Sequence, residues 1–231
     1  MGAKSEWLDY WDGDVSLYVS PRHLEAHYRG LFRAIEPLLP ATPFTLLDFG
    51  CGEALMSPTL AARGARVVLH DAAPSRAAVL RARFAGVSGV EVAEDLAPLA
   101  GACDLVLLIS VLQYVPKAEL PALLARLRAC LAPGGRLVIG DILGPDNSVV
   151  ADVTALLSFA RREGFFFAAL AGLARTLRSD YGRLRGEIGL TTWTFEEIAP
   201  VLTAAGFDAA PLGWNIGHAG HRRSIVATAR G

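Results

Sequence analysis

Leu46-Leu47-Asp48-Phe49-Gly50-Cys51-Gly52-Glu53-Ala54 joins a short apolar run to a turn carrying two glycines. The run, Phe44 to Phe49, is too short for a helix and ends at a glycine, so it reads as a buried strand. Glycines at the turn let the backbone approach a ligand and adopt angles closed to other residues. A dinucleotide fingerprint, G-x-G-x-x-G, counted from Gly50 needs a small residue at Leu55. Leucine there argues against tight packing around a pyrophosphate. Asp48, two residues before the first glycine, would also repel a phosphate. A cationic ligand suits the turn better, the bland alternative being an ordinary strand–turn–helix corner.

Outward from this turn, helical and extended patterns alternate. The spacing predicts a helix over Leu55–Arg63 closed by Gly64, a strand over Ala65–His70, and a helix capped by Ser75 and running to Phe84. A short strand follows over Val90–Ala93, then a strong one over Asp104–Ile109. Lys117–Leu131 is helical, with Leu120, Leu123, Leu124, Leu127 and Leu131 on one face. Pro133-Gly134-Gly135 then turns the chain into a strand over Arg136–Ile142. Alternation of this kind predicts an α/β fold with a doubly wound, mostly parallel sheet. Upstream, Pro21–Leu39 has helical spacing. Downstream, Val149 to about Arg185 is helical in composition. Thr194-Phe195-Glu196-Glu197 has the shape of a capping box opening a helix to Ala205. Phe207–Leu212 and Arg223–Ala229 read as closing strands. The division expected is an aromatic, helical cap over 1–43, a ligand-binding core over 44–145, a helical insertion covering the substrate over 146–192, and a C-terminal helix with closing strands over 193–231.

Composition narrows the function classes. The chain has 231 residues, 52% hydrophobic and 19% charged, with a net charge of −1. Such a balance offers no basic excess for nucleic acid or an anionic surface. Three widely spaced cysteines, Cys51, Cys103 and Cys130, form no CxxC pair, so neither a disulfide framework nor a metal site is expected. The first residues have no apolar core of a signal peptide, and a cytoplasmic location is expected. The longest apolar run, Gly164 to Ala174, is too short for a membrane span.

Four further stretches accompany the glycine turn. Val67-Val68-Leu69-His70-Asp71-Ala72 ends a strand on an acid that can accept both hydroxyls of a ribose. Glu91-Val92-Ala93-Glu94-Asp95-Leu96 places another acid past a short strand. Cys103 to Val115 runs through Ser110-Val111-Leu112-Gln113-Tyr114, and Leu131 to Ile139 contains Pro133-Gly134-Gly135. In this order and spacing the chain resembles the class I S-adenosylmethionine-dependent methyltransferases over about Phe44 to Leu143, more weakly over Thr194 to Arg230. The resemblance implies a Rossmann-like sheet of seven strands with the last antiparallel, and S-adenosylmethionine as cofactor. It implies that Gly50, Cys51 and Gly52 hold the methionine part, with Asp48 anchoring the turn and the amino group. Asp71 and Ala72 would face the ribose, Asp95 the adenine amino group and Leu96 the ring, and Ser110 would line the site beneath the methyl group. Ala54 departs from the third glycine that many members have.

Methyl transfer from an activated sulfonium relies largely on positioning, and a base is needed only if the acceptor must lose a proton. Tyr114, His218, His221 and Asp141 are the candidates. Gln113 and Tyr114 follow the fourth strand, where ligands of open α/β sheets gather. Phe166 lies in the apolar insertion and Tyr181 near its end, and both are substrate-facing candidates. Tyr10, Trp11, Tyr18 and His27 form an aromatic group, and Tyr18 is assigned to the cofactor because a sulfonium gains from aromatic faces. Arg22 is a candidate partner for the cofactor carboxylate. The expected function is methylation of a small apolar or aromatic metabolite, at oxygen rather than carbon or nitrogen, with no nucleic-acid partner and a homodimer through the insertion possible. The alternative is a cofactor-binding but non-catalytic or repurposed protein of this fold. A nicotinamide oxidoreductase is opposed by the glycine spacing. An RNA or protein methyltransferase is opposed by the absence of a basic patch and of an Asn/Asp-Pro-Pro-Tyr tetrapeptide after the fourth strand.

Overall fold

The computed structural model describes residues 10–12, 18–176 and 189–230. Seven strands form one sheet: β1 (Phe44–Phe49), β2 (Ala65–His70), β3 (Val90–Val92), β4 (Cys103–Ile109), β5 (Leu131–Ile142), β6 (Phe207–Pro211) and β7 (Arg223–Ala229). Their order is β3-β2-β1-β4-β5-β7-β6. The first five pair in parallel, and both pairings of β7 are antiparallel. The doubly wound, mostly parallel sheet predicted from the alternating pattern is therefore present, with the seven strands and antiparallel last strand that the resemblance implies.

The helices are α1 (Pro21–Ile35), α2 (Ser57–Ala62), α3 (Pro74–Phe84), α4 (Leu120–Cys130), α5 (Val149–Glu163), α6 (Phe166–Thr176) and α7 (Phe195–Ala204). The central strands are covered on both faces, which is why they read as unbroken apolar runs. Leu105 and Leu107 of β4 pack with Leu46, Leu60 and Ile35 on one side. Val106 and Leu108, one step out of phase, pack with Leu124, Ile198 and Phe207 on the other. A third cluster joins Ala26 of α1 to Phe159 and Phe165 of the insertion, tying the N-terminal helix to it.

Four local expectations are revised. Helix α2 begins at Ser57 rather than Leu55, because Ala54 turns left-handed (φ 51°) just before it. Helix α3 begins at Pro74 with Ala73 at its cap. Ser75 is no cap: its N–H and hydroxyl donate to the carboxylate and carbonyl of Asp12. Cysteine 103 joins β4, and β5 starts at Leu131, its register shifting opposite Cys103 and Leu105. The helical stretch from Val149 is divided at Gly164, whose left-handed φ of 77° ends α5. The capping box at Thr194 forms as predicted. Among the described residues, no helix is long and apolar enough to cross a membrane.

Candidate functional site

The parallel register brings the carboxyl ends of β1, β2, β4 and β5 to one edge, where ligands of open α/β sheets bind. Backbone strain gathers at the same edge. Ala54, Ser110 and Asp141 are the three non-glycine residues with positive φ among those described, at 51°, 57° and 60°. Strain of this kind persists where the surroundings enforce it, most often at ligand sites.

The glycine turn is held from three directions. The Gly50 N–H donates to His70 O at 2.7 Å, and the Gly52 N–H donates to Asp71 Oδ2 at 3.3 Å. The third anchor is Tyr28 of α1, which in the sequence is one position of the helically spaced stretch Pro21–Leu39. Its hydroxyl accepts from the N–H groups of Glu53 (2.8 Å) and Ala54 (3.1 Å) and donates to Cys51 O at 3.0 Å. Nothing in helical spacing distinguishes such a tyrosine from a core residue. Replacing it as Tyr28→Phe strands two N–H groups, so a loss of roughly 1–3 kcal/mol in urea unfolding is expected, with weaker cofactor binding. Unchanged stability and affinity would argue that the turn holds itself.

The turn suits a cation. Asp48 is buried, and its carboxyl is pushed up to about 7, first by burial and then by the charge of Asp71. A bound ammonium or sulfonium would relieve both costs. The sign follows directly: below pH 7 a cationic ligand must displace a proton from Asp48. Affinity for S-adenosylhomocysteine should then fall by up to roughly tenfold per unit of pH below the midpoint and level off above it. Calorimetry near pH 6 in buffers of different ionisation enthalpy should register proton release, absent in Asp48→Asn. An affinity flat from pH 5 to 8 would contradict this role.

The remaining predicted cofactor residues are placed unevenly. Asp71 uses its second oxygen to accept the Ala73 N–H at 3.1 Å, leaving it at the turn beside exposed Ala72. Asp95 is exposed and accepts the Ala97 N–H at 3.0 Å. The Leu96 side chain packs in the core with Leu99 and Val68. Cys51 is buried at the turn, its thiol pushed up by burial. Ser110 donates to Asp141 Oδ2 at 2.8 Å. Tyr18 lies against Tyr28, with ring centroids 6.3 Å apart.

The candidates for proton transfer separate clearly. Asp141 is buried and also accepts from Asn215 (3.1 Å) and Arg222 (2.7 Å), so both of its carboxylate oxygens are engaged within the protein. His221 is tied to Asn147 Oδ1 (3.0 Å) and Asp152 Oδ1 (3.2 Å) in the same network. His218 stacks on Phe159 of the insertion, 5.2 Å between centroids. Tyr114 meets the Trp11 ring edge-on at 5.4 Å, bringing the N-terminal segment to the end of β4. Gln113 is buried beside it, and its side-chain oxygen has no hydrogen-bond partner among the described residues. Phe166 opens α6 with its ring edge against Phe167. Arg22 does not face the turn: its Nε donates to Glu163 O at 2.5 Å, at the end of α5. Tyr181 lies outside the described residues. Among the described residues there is no group of three potential metal ligands.

A family model described as a methyltransferase domain matches residues 22–211, most of the chain, including the glycine turn and the carboxyl ends of β1, β2, β4 and β5. The chain belongs to that family. Two ubiquinone biosynthesis O-methyltransferases are similar in sequence. The one from Cereibacter sphaeroides (strain ATCC 17025) is 39% identical over 116 residues, covering 48% of this chain and 46% of that protein. The one from Xanthomonas axonopodis pv. citri is 37% identical over 107 residues, covering 42% of each. The matched segment thus spans about half the length of these relatives. Among solved structures, magnesium protoporphyrin IX methyltransferase from Synechocystis PCC 6803 with bound SAH superposes with a TM-score of 0.61 at 19% identity, over 98% of this chain and 99% of that one. The citrinin polyketide synthase CMeT domain gives 0.56 at 18% identity, over 86% of this chain and half of the other. At such identities these two speak for a shared methyltransferase fold. The class I S-adenosylmethionine-dependent membership implied by the five motifs is thereby established for this methyltransferase domain.

Proposed function

We propose that this methyltransferase transfers the methyl group of S-adenosylmethionine to an oxygen of a small apolar or aromatic metabolite. The observation that carries the reading is an aromatic wall built against the cofactor turn. The rings of Tyr18, His27 and Tyr28 of the N-terminal part have centroids 5.4–6.3 Å apart, and His23 and His218 link them to Phe159 and Phe165 of the insertion. Ligand sites of this kind are mostly apolar with a few placed polar groups. Oxygen is favoured as the receiving atom by the two relatives, whose names state O-methylation. Residues 146–176 serve in this reading as a cover over the acceptor, and residues 177–188 of the expected insertion lie outside the described residues.

When bound, S-adenosylmethionine supplies an electrophilic methyl group. The chain's own contribution is positioning: Tyr28 and Asp71 fix the turn, Asp48 offers the buried negative charge, and Ser110 is held at the floor by Asp141. Calorimetric titration with S-adenosylhomocysteine should show binding that Asp71→Ala weakens at least ~100-fold, since a charge-assisted pair to ribose and an anchor of the turn are both lost. Turnover should follow with small hydroxylated aromatics. Absence of binding by the purified wild type would sink the reading. Binding without turnover across a broad panel of acceptors would return the non-catalytic alternative.

A further inference from the structure

Five histidines are present, and their surroundings divide them. His70 Nδ1 is 3.0 Å from Ala93 O. His23 Nδ1 accepts from the Val19 N–H at 3.3 Å, and its ring stacks on Phe165. His221 is held by Asn147 and Asp152. Each of these imidazoles has a structural task. His27 and His218 remain, and neither has a hydrogen-bond partner among the described residues. They belong to segments far apart in the chain, yet their ring centroids are 6.4 Å apart with planes at 70°. A hydrogen bond from one oxygen to a nitrogen of each ring spans a centroid separation of this size.

The pair lies beside the cofactor turn. His27 is adjacent in sequence to Tyr28, whose hydroxyl holds that turn, and its ring contacts Tyr18 at 5.4 Å. Gly217, just before His218, lies against Asp141, where an added Cβ would come within 2.7 Å of Oδ1. Asp141 is in turn bonded to Ser110 at the end of β4. The two imidazoles are thus bounded by the glycine turn on one side and by the Ser110–Asp141 pair on the other. Phe159 backs His218, so the ring is held in orientation by packing while its nitrogens stay uncommitted.

We propose that His27 and His218 grip the hydroxyl oxygen of the methyl acceptor, with His218 the general base and His27 the group that orients the oxygen. The inference rests on the methyl-transfer reading above. In the step, the acceptor O–H bond breaks and its proton goes to His218. The oxygen forms a bond to the methyl carbon, and the carbon–sulfur bond breaks with its electron pair staying on sulfur. Positive charge leaves the sulfonium and reappears on the imidazolium, so the site's net charge is unchanged.

Roles divide by electrostatics. Burial holds His27 neutral, with its midpoint lowered to about 3, and His218 and His23 add to the shift while Asp141 opposes it. A base so weak is a poor proton acceptor near neutrality but a constant hydrogen-bonding partner. His218 is lowered by burial, with Arg222 and His221 adding to the shift and Asp141 and Asp152 offsetting it. These two carboxylates are what an imidazolium at position 218 would meet.

The test uses the enzyme saturated with S-adenosylhomocysteine and the dye 4-nitrophenol, whose phenolate absorbs visibly and whose ionisation lies near neutrality. About one pH unit below its free midpoint, the bound dye in the wild type should show a larger phenolate fraction than the free dye at the same pH. In His218→Gln the phenolate fraction should fall to that of the free dye, while affinity for S-adenosylhomocysteine stays within about twofold. In His27→Asn the dye should bind roughly tenfold more weakly but, once saturated, show the wild-type phenolate fraction. A wild-type complex with S-adenosylhomocysteine that gives no phenolate signal would overturn the pair. So would a signal unaffected by His218→Gln. Failure of S-adenosylhomocysteine itself to bind would instead overturn the methyltransferase reading beneath it.

Discussion

Gly50→Ala should abolish useful cofactor binding, lowering affinity for S-adenosylhomocysteine at least ~100-fold and reducing stability by roughly 2–4 kcal/mol. Two costs combine. The residue sits at φ 73°, a region that costs an L-residue about 1–2 kcal/mol. An added Cβ would also stand 2.4 Å from Cγ2 of Val111, a β-branched side chain with little freedom to turn away. The turn would have to shift, and with it the Gly50 N–H bond to His70 O and the Gly52 N–H bond to Asp71. The double variant Gly50→Ala/Val111→Ala removes the clash and leaves the backbone cost, so partial recovery of affinity is the expected result. Calorimetry and urea unfolding read both quantities. Wild-type affinity in Gly50→Ala would mean that the turn does not approach the cofactor.

Arg222→Gln should cost about 3–5 kcal/mol of stability, among the largest effects expected of any single polar replacement in this chain. The guanidinium is largely buried between Asp141 (2.7 Å) and Asp152 (2.8 Å), both also largely buried. Removing it leaves two close carboxylates without their cation. The damage has a direction: Asp152 belongs to α5 and Asp141 ends β5, so the lost bridge is the one pinning the insertion to the sheet. Arg222→Lys keeps the charge but offers no fork, and reaches one carboxylate better than two; an intermediate loss is expected. An unfolding midpoint unmoved in Arg222→Gln would show that water replaces the bridge without penalty.

The network around Arg222 also explains which site assignments were open to sequence reasoning. Asp141 and His221 had the residue type and the position of proton-transfer groups, at a strand end and in a glycine-rich loop. Both are bonded to each other's neighbours across 69 to 81 positions of chain, through Arg222 and Asp152. No local pattern encodes such a pairing. Tyr28 was hidden for the opposite reason: its helical spacing was correct, and its ring is indeed buried, but one hydroxyl at the tip serves a turn 23 to 26 residues away. Arg22 looked free to meet a carboxylate and is occupied by a helix end 141 residues later.

The sequence by itself determined the sheet and the cofactor edge. Strands β1 and β2 begin and end where the apolar runs do, because a strand covered on both faces must be apolar throughout and must stop where polar or glycine residues begin. The turn from Asp48 to Ala54 could be read as a cradle for a cation because the relevant physics, glycine freedom beside a carboxylate, lies within seven residues. Only the tertiary structure decided the acceptor side. His27 and His218 gain their meaning from a 6.4 Å separation between a first helix and a last loop, and the chain carries no short-range signal of which histidines long-range packing will leave unbonded.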